Sequence, residues 1–474
     1  MKINIDINSI LNNSGSFKEL EEKLYQLICE KTKEAFEELI ELVDKEIMEN
    51  RNKDRYKNKD KKERTLKTKI GEMKLERRYY KDKEKDKYCF LLDKYLNIPA
   101  YDRQSPALKT AAIKEVLKST YRNSSETIKS LLDIAISHQA IHNWVQEDGD
   151  NQSKKEHEKS QELYENGVIP ESEEERKKIE HLFFETDGIH INLQNEDTSS
   201  GELKLGMSYR GWEKRHPSSD EYELTKKRYY GGVFDSTRFW EESTVKLYEK
   251  YRFKKDAITV LNGDGASWIN SGEEYVPSLA HRVLDSYHWN QKILRKLGRS
   301  SYVPKVRDAI KEHNKEKLIK ILYKAKKYRK KEKDKEKVDE LKKYLLNNWE
   351  ALKDYRELDL DLPDNVSNMR GMGAIESNID KVLANRFKKR GMRWSKDGAR
   401  NLAKLIIADR NGNLEKILSQ RDWDFRDEEF KKEYRTVKDK VSNDEHTVKK
   451  GNMPVLEGPS AGEDWVKGLK NIAS

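Results

Sequence analysis

The sequence feature that most constrains this chain is a short apolar run, Ile258 to Leu261, that ends in Asn262-Gly263-Asp264-Gly265. An apolar run of this length, closed by glycines, is typical of a buried strand that enters a tight turn. Asp264 would then lie at the tip of the turn, on backbone that glycine allows to approach a ligand closely. Asn-Gly and Asp-Gly also occur in ordinary surface turns, so the pattern alone is compatible with either role.

The chain has 474 residues, which predicts two to four domains. No apolar run approaches the length of a membrane span, and the first six residues lack the apolar core of a signal peptide. The two cysteines, Cys29 and Cys89, indicate neither a disulfide scaffold nor a zinc cluster. We therefore expect a cytoplasmic protein without a membrane partner.

Basic residues are concentrated in two blocks, although the formal net charge is only +10. Lysine and arginine outnumber acidic residues by 17 to 8 in 51–87, and by 21 to 8 in 291–345. Basic charge gathered in this way is expected of a protein that contacts a phosphate backbone. Lysine-rich helices with solvated faces would give the same composition.

The N-terminal part combines a helix with a hairpin. Apolar residues in 17–50 follow a helical period, which predicts one long amphipathic helix. The basic segment 51–63 is interpreted as a linker. Residues 65–80 alternate around Gly71, as in a β-hairpin.

Helical patterns return between residues 105 and 145. Two short helices joined by a brief turn indicate a helix-turn-helix, whose second helix begins near His138. Gln139, His142 and Asn143 would then be placed to reach DNA base edges. A plain three-helix bundle fits the same pattern.

From residue 181 to residue 290, the sequence no longer shows a mainly helical pattern. Strands and a helix follow one another in 181–290, which predicts a mixed α/β sheet. Residues 291–365 consist almost entirely of helix formers and predict a basic helical insertion. A further helix is expected near Ala374, with Glu376 in its first turn.

Three acidic residues lie in or next to predicted secondary-structure elements. Asp187 lies in a strand, Asp264 lies at the end of another strand, and Glu376 lies at the start of a helix. Carboxylates that converge from separate elements repel one another unless cations bind between them. Oxygen ligands of this kind suit Mg²⁺ or Mn²⁺, and two such ions can promote phosphoryl transfer. Spacing alone does not exclude the neighbouring Glu185 and Asp380 as alternatives.

Five stretches carry a family resemblance: Thr186-Asp-Gly, Leu261-Asn-Gly-Asp-Gly-Ala-Ser-Trp268, Leu284-Asp-Ser-Tyr-His288, Gly373-Ala-Ile-Glu-Ser-Asn378 and Arg386-Phe-Lys-Lys-Arg-Gly-Met-Arg-Trp394. Through them the chain resembles bacterial insertion-sequence transposases of the ISLre group, relatives of the mutator-like transposases. The similar region runs from residue 64 to residue 460.

This resemblance implies an RNase H-like core with an Asp-Asp-Glu triad, carried over to Asp187, Asp264 and Glu376. It implies Mg²⁺ or Mn²⁺ as cofactor, and a supporting role for Asp285 and His288. A histidine hydrogen-bonded within the core is the alternative for His288.

Basic residues near the third acid would hold phosphates of the cut strand, or else form a solvated helix end. Those candidates are Arg386, Lys388, Lys389, Arg390 and Arg393. In the helical insertion, the candidates for phosphate contact are Lys326, Lys327 and Lys330.

The expected fold class is α+β or mixed α/β, with an RNase H-like catalytic core, a helical insertion, and a mainly helical DNA-binding region before them. The expected segments are an N-terminal helix and basic linker (1–63), a DNA-binding region (64–150), a linker (151–180), the first part of the core (181–290), the insertion (291–365), the last part of the core (366–440) and a polar tail (441–474).

The resulting hypothesis is a DDE transposase, active as a homo-oligomer on double-stranded DNA. Its DNA partners would be the terminal repeats of its element and the target DNA. It would be located in the bacterial cytoplasm, in association with the nucleoid. A metal-dependent nuclease without strand transfer and a non-catalytic DNA-binding regulator are the alternatives.

Overall fold

The computed structural model describes residues 14–419 except 97, 170, 172–174, 361 and 363–368. These residues form two units of a mixed α+β protein. The first unit contains the described residues up to Ala112 together with Arg122–Ser137, and the second contains Ile113–Tyr121 and His138–Ser419. The expected tail, 441–474, lies outside the described residues, as does the part of 366–440 beyond Ser419.

The first unit begins with helix α1 (Phe17–Asn50), which confirms the predicted helix. Strands β1 (Tyr56–Thr68), β2 (Gly71–Asp82) and β3 (Lys87–Cys89) form an antiparallel sheet in that order. Thr68 pairs with Gly71 across the turn, as the alternation around Gly71 predicts. The expected linker, 51–63, is instead a strand from Tyr56 onward, because its polar residues pair with β2 while their side chains face outward.

Helices α2 (Leu91–Tyr95), α3 (Pro106–Val116), α4 (Tyr121–Leu132) and α5 (His138–Asn166) follow. Helix α5 begins where the second helix of the expected helix-turn-helix should begin. It has 29 residues, and so replaces much of the linker expected at 151–180. The helix continues because buried residues recur along it as far as Ser160, where it packs within the second unit.

A five-stranded sheet organises the second unit. Its strands are β4 (Lys177–Asn192), β5 (Ser200–Tyr209), β8 (Arg228–Val233), β9 (Tyr251–Gly263) and β10 (Leu279–Leu284), and the spatial order is β10-β9-β4-β5-β8. Strands β4, β5 and β8 are antiparallel neighbours, whereas β9 runs parallel to β4 and β10 runs parallel to β9. Strands β6 (Trp212–Lys214) and β7 (Tyr222–Leu224) form a separate antiparallel pair.

Helix α6 (Ser236–Lys250) connects β8 to β9 and covers the sheet with aromatic residues. Phe239 and Trp240 of α6 pack in one buried cluster with Phe184 of β4, Tyr230 of β8 and Leu261 of β9. Burial of side chains this large supplies much of the free energy that holds a sheet to its helix. The strands that carry the candidate acids are therefore fixed in a rigid layer.

Helix α7 (Ser267–Asn270) precedes β10, and four helices follow that strand: α8 (Ser286–Leu297), α9 (Tyr302–Lys311), α10 (Lys315–Lys327) and α11 (Glu332–Asn347). They share an apolar core that includes Ile293, Leu322 and Leu341. The segment is therefore helical, as its composition predicts.

The last described elements are α12 (Ala374–Ile379), a π-helical turn (Asp380–Ala384), α13 (Asn385–Phe387), α14 (Lys396–Arg410) and α15 (Leu414–Ser419). Short 3₁₀ turns occur at Ser271–Glu274, Glu350–Leu352, Tyr355–Glu357 and Lys389–Gly391. In the described parts of the chain, we find no helix long and apolar enough to cross a bilayer.

Candidate active site

Strand β4 carries Asp187 out of the protein interior. Residues from Leu182 to Thr186 are buried, and Asp187 is the first half-buried position after them. The Oδ1 atom of Asp187 accepts a hydrogen bond of 2.8 Å from the Gly188 amide. The main chain of Asp187 is in register with Leu205 of β5. The carboxylate therefore projects from a part of β4 that is still paired with β5, and not from a loop.

Asp264 directly follows β9, in the turn that the sequence predicts. Its Oδ1 atom accepts a hydrogen bond of 2.8 Å from the Ala266 amide, which closes the turn. Gly265 has φ +83°, and a Cβ atom there would lie 2.7 Å from Leu284 Cδ1. Glycine is therefore required next to Asp264 for both backbone conformation and space.

Glu376 is exposed in the first turn of α12, and Glu185 fixes that turn. The Oε2 atom of Glu185 accepts hydrogen bonds of 3.0 Å from the amides of both Gly373 and Ile375. Glu185 is fully buried, and its Oε1 atom accepts a hydrogen bond of 2.6 Å from the Tyr209 hydroxyl. The strand that carries Asp187 thus holds the helix that carries Glu376.

Asp264 and Glu376 both lie within electrostatic reach of Asp187. The pKa of the Asp187 carboxyl is raised to about 6, chiefly by burial and also by the negative charges of Asp264 and Glu376, while the Gly188 amide and His288 act to lower it. Each charged neighbour comes from a different element. Folding thus brings Asp264, Glu376 and His288 close enough to Asp187 to affect its pKa.

Asp285 has a different environment from the other acids. It is buried after β10 and caps α8, where its Oδ1 atom accepts a hydrogen bond of 2.8 Å from the Tyr287 amide. Its Oδ2 atom lies 3.5 Å from Nδ2 of Asn262. Asp285 therefore fixes the start of the helix on which His288 is half-buried.

Two further residues of the insertion reach the Asp264 turn. The Tyr344 hydroxyl of α11 donates a hydrogen bond of 2.9 Å to the backbone oxygen of Asp264. Lys292 of α8 places Nζ 3.6 Å from the centroid of the Tyr344 ring, in a cation–π contact. Burial lowers the pKa of the Lys292 ammonium, and the charge of Asp264 raises it.

Sequence reasoning missed Tyr344, Lys292 and Asn262, although the sequence carries a signal for the last two. Lys292 follows His288 by four positions, and this spacing puts both on one face of a helix. Asn262 precedes Asp264 by two positions, just as Glu185 precedes Asp187. In a strand, residues two apart share a face.

The chemistry of the donors fits Mg²⁺ or Mn²⁺, which prefer carboxylate oxygens. Among the described residues, no salt bridge neutralises Asp187, Asp264 or Glu376. No group of three or more His, Cys, Asp or Glu side chains within the described ranges is arranged to hold a metal ion. Glu376, which is exposed, is the acid with the most freedom to turn toward the other two.

Residues 10–423 match the sequence model of UPF0236, which is described as an uncharacterised protein family. The chain belongs to UPF0236. It is 30% identical over 408 residues to a UPF0236 protein of Caldanaerobacter subterraneus subsp. tengcongensis, covering 85% of this chain and 80% of that protein. The name of that relative joins eleven locus designations. A UPF0236 protein of Streptococcus gallolyticus, named for the vanSb 3′ region, is 28% identical over 463 residues, covering 96% and 97% of the two chains.

In this UPF0236 protein, the base-reading candidates lie at the start of α5. Gln139 and Asn143 are exposed, and Nε2 of Gln139 donates a hydrogen bond of 2.9 Å to Oδ1 of Asn143. The ring of His142 is half-buried and packs edge-on against Tyr121, with the ring centroids 5.1 Å apart. The two amides are therefore open to a ligand, whereas His142 also serves in packing.

The basic run after Glu376 divides into two kinds of residue. Arg386 is buried, donates a hydrogen bond of 3.1 Å from Nε to the backbone oxygen of Val116, and lies over the Trp394 ring. It packs the interior and is not placed for a DNA phosphate, contrary to expectation. Lys388, Lys389 and Arg393 are exposed, and the side chain of Arg390 lies outside the described residues.

The insertion lysines also differ in their surroundings. Lys326 Nζ lies 2.6 Å from Oδ2 of Asp339, so its charge already has a partner. Lys327 and Lys330 are exposed, and neither is in an ion pair within the described residues. These two remain the better candidates for a phosphate contact.

Proposed function

We propose that this UPF0236 protein is a DDE transposase of the ISLre group that cleaves and joins DNA strands. The observation that carries the proposal is the electrostatic coupling of Asp187 to Asp264 and Glu376. The three acids come from separate elements, and the two aspartates extend from adjacent parallel strands of one sheet. Coupled carboxylates with shifted pKa values are common where acid–base or metal chemistry takes place.

The sheet supports the same proposal. Within the sheet, the three antiparallel strands β4, β5 and β8 are followed along the chain by a helix and two strands parallel to β4, in the spatial order β10-β9-β4-β5-β8. This arrangement supports the RNase H-like core that the resemblance implies. The first acid lies on its central strand, the second lies after the adjacent β9, and the third lies on a helix after the insertion.

The names of the relatives add an independent argument. One UPF0236 relative carries eleven locus designations in a single organism. Repetition of one protein at many loci is expected when the gene belongs to an element that moves or copies itself. This argument favours a transposase over a nuclease without strand transfer.

Asp187, Asp264 and Glu376 would hold Mg²⁺ or Mn²⁺, which supplies Lewis-acid stabilisation of the attacking and leaving oxygens when bound. The Ala266 amide and Tyr344 restrain the Asp264 turn, and Glu185 restrains the helix of Glu376. Lys292 adds a positive charge near the turn, where a DNA phosphate would lie. No covalent protein intermediate is required, because in-line phosphoryl transfer depends on positioning and charge.

The partners in this proposal are double-stranded DNA at the element ends and at the target. Two ends must be handled together, so we propose that the protein works as a homo-oligomer on DNA, at the nucleoid in the cytoplasm. Exposed Lys327, Lys330, Lys388 and Arg393 would contact phosphates without reading sequence.

The test is metal-dependent cleavage and strand transfer on duplexes that carry the ends of the element. Asp187→Asn, Asp264→Asn and Glu376→Gln each remove one negative charge with little change in volume. Each should lower cleavage more than about 100-fold, beyond the loss typical of outer-shell residues, while DNA binding persists. Asp380→Asn is the matched control, since Asp380 is exposed and lies next to α12.

Full cleavage by all three triad variants would remove the basis of the proposal. Cleavage without joining of the 3′ end to target DNA would instead identify a nuclease. DNA binding without any metal-dependent cleavage by the native chain would identify a non-catalytic regulator.

A further inference from the structure

We propose that Glu185 is a positioning residue, which sets the place of Glu376 by holding the first turn of α12. The inference rests on the proposed function for its catalytic consequence. Glu185 and Asp187 are the two acids on the same face of β4, and their spacing in the sequence does not distinguish between them. The structure assigns them different tasks.

The contacts of Glu185 point inward and are satisfied by the protein itself. Its two carboxylate oxygens accept from the Tyr209 hydroxyl at 2.6 Å and from the amides of Gly373 and Ile375 at 3.0 Å. Its side chain is fully buried. A carboxylate with these three donors has little capacity left for a ligand.

The two amides that Glu185 holds belong to the beginning of α12. Amides at a helix start have no partner within the helix and need one from elsewhere. Glu185 supplies that partner from β4, and the two amides that it holds lie three positions and one position before Glu376. Gly373 has φ +127°, a conformation that favours glycine, so the chain turns sharply into the helix where Glu185 binds it.

Asn262 extends this arrangement to the other strands. Its Nδ2 atom lies 3.5 Å from Glu185 Oε2 and 3.5 Å from Asp285 Oδ2. Asn262 is buried two positions before Asp264. The segments that bear Asp187, Asp264, Glu376 and His288 thus meet at a buried polar layer with Glu185 at its centre.

Two substitutions separate positioning from direct metal binding. In Glu185→Gln, the amide oxygen can still accept from Gly373 and Ile375, while its NH₂ group faces the Tyr209 hydroxyl, which can accept. In Glu185→Met, the side chain has similar length but no acceptor, so both amides lose their partner.

We expect Glu185→Gln to keep cleavage within about tenfold of the native protein, the scale of one altered hydrogen bond. Glu185→Met should lower cleavage by about 100-fold and raise the half-saturating Mn²⁺ concentration, since small misplacements of a site residue have effects of that size. Combined with Glu376→Gln, Glu185→Met should add no further loss, because its effect passes through Glu376. Asp380→Asn again serves as the control.

Amide hydrogen exchange over residues 372–380 provides a readout that does not depend on any activity. Glu185→Met should accelerate exchange there by at least about tenfold, and Glu185→Gln should retain protection. If the native protein proves inactive, this measurement still decides the positioning role, and only the proposed function fails.

Three results would overturn the inference. The first is a loss in Glu185→Gln as complete as that in Asp187→Asn, which would make Glu185 a metal-holding acid. The second is unchanged exchange at 372–380 in Glu185→Met. The third applies if Glu185→Met does not fold. In that case, a loss of amide protection at 372–380 in Glu185→Gln would overturn the inference.

Discussion

Replacing Lys404 by methionine should destabilise the second unit by about 3–5 kcal/mol, because it leaves buried carboxylates without their counter-charge. The Lys404 side chain on α14 is completely buried. Its Nζ atom lies 2.5 Å from Oε2 of Glu156 on α5 and also pairs with Glu242 on α6. One ammonium thus joins three helices.

The size of the effect can be estimated from Glu156. Burial alone would raise the pKa of its carboxyl, but the charges of Lys246 and Lys404 outweigh burial and hold the pKa at about 2, against an ordinary value of 4.5. That difference corresponds to about 3 kcal/mol in favour of the charged form, to which Lys246 and Lys404 both contribute. Because the folded pKa is lowered, this stabilisation is present above pH 4.5 and is lost as the pH falls from about 4.5 to about 2.

Urea unfolding followed by tryptophan fluorescence is a suitable assay, since every described tryptophan, from Trp144 to Trp394, lies in the second unit. Lys396→Met is the matched control on the same helix. Lys396 is half exposed and lies 3.8 Å from Glu196, so its loss should change the free energy of unfolding by less than about 1 kcal/mol.

Lys404→Met combined with Glu156→Gln and Glu242→Gln should recover much of the lost stability, because no uncompensated carboxylate then remains buried. The former partners of these acids, Lys246 and Arg238, are partly exposed and can reach water. A loss in Lys404→Met no larger than in Lys396→Met would refute the electrostatic reasoning.

Two further predictions concern pH and DNA. At subsaturating Mn²⁺, cleavage should fall as the pH is lowered through about 6. The raised pKa leaves Asp187 protonated below that value, and a protonated carboxyl cannot bind metal. A pH profile of cleavage that does not depend on the Mn²⁺ concentration would contradict this prediction. Neutralising five insertion lysines should weaken binding to terminal and random DNA about equally and reduce its salt dependence, which a salt titration of both duplexes measures. An unchanged slope would exclude the phosphate role, and a selective loss on terminal DNA would mean that the insertion reads sequence. The five are Lys324, Lys326, Lys327, Lys330 and Lys331.

Local patterns in the sequence predicted those parts of the fold whose cause is local. The apolar period gave the bounds of α1, and alternation around Gly71 gave the hairpin, because side-chain periodicity and turn geometry act over a few residues. The same holds for the tight turn predicted at Asp264, where Gly265 has a positive φ. The resemblance to transposases, and not spacing, selected the three acids.

These local patterns did not predict contacts between residues that are far apart in the sequence. Residues 56–63 are rich in lysine and read as a linker, but they form a strand because β2 offers a partner along their whole length. Arg386 belongs by sequence to a basic run, yet it is buried against Val116 and Trp394, because solvent exposure depends on what packs over a residue.

By itself, the sequence determined which side chains of β4 share a face, since residues two apart in a strand always do. That rule places Glu185 and Asp187 on one face but does not show which role each of them has. The tertiary structure determined the two roles. Glu185 lies deeper, where the start of α12 covers it and supplies two amides, whereas Asp187 lies where the strand emerges and faces the charges of Asp264 and Glu376.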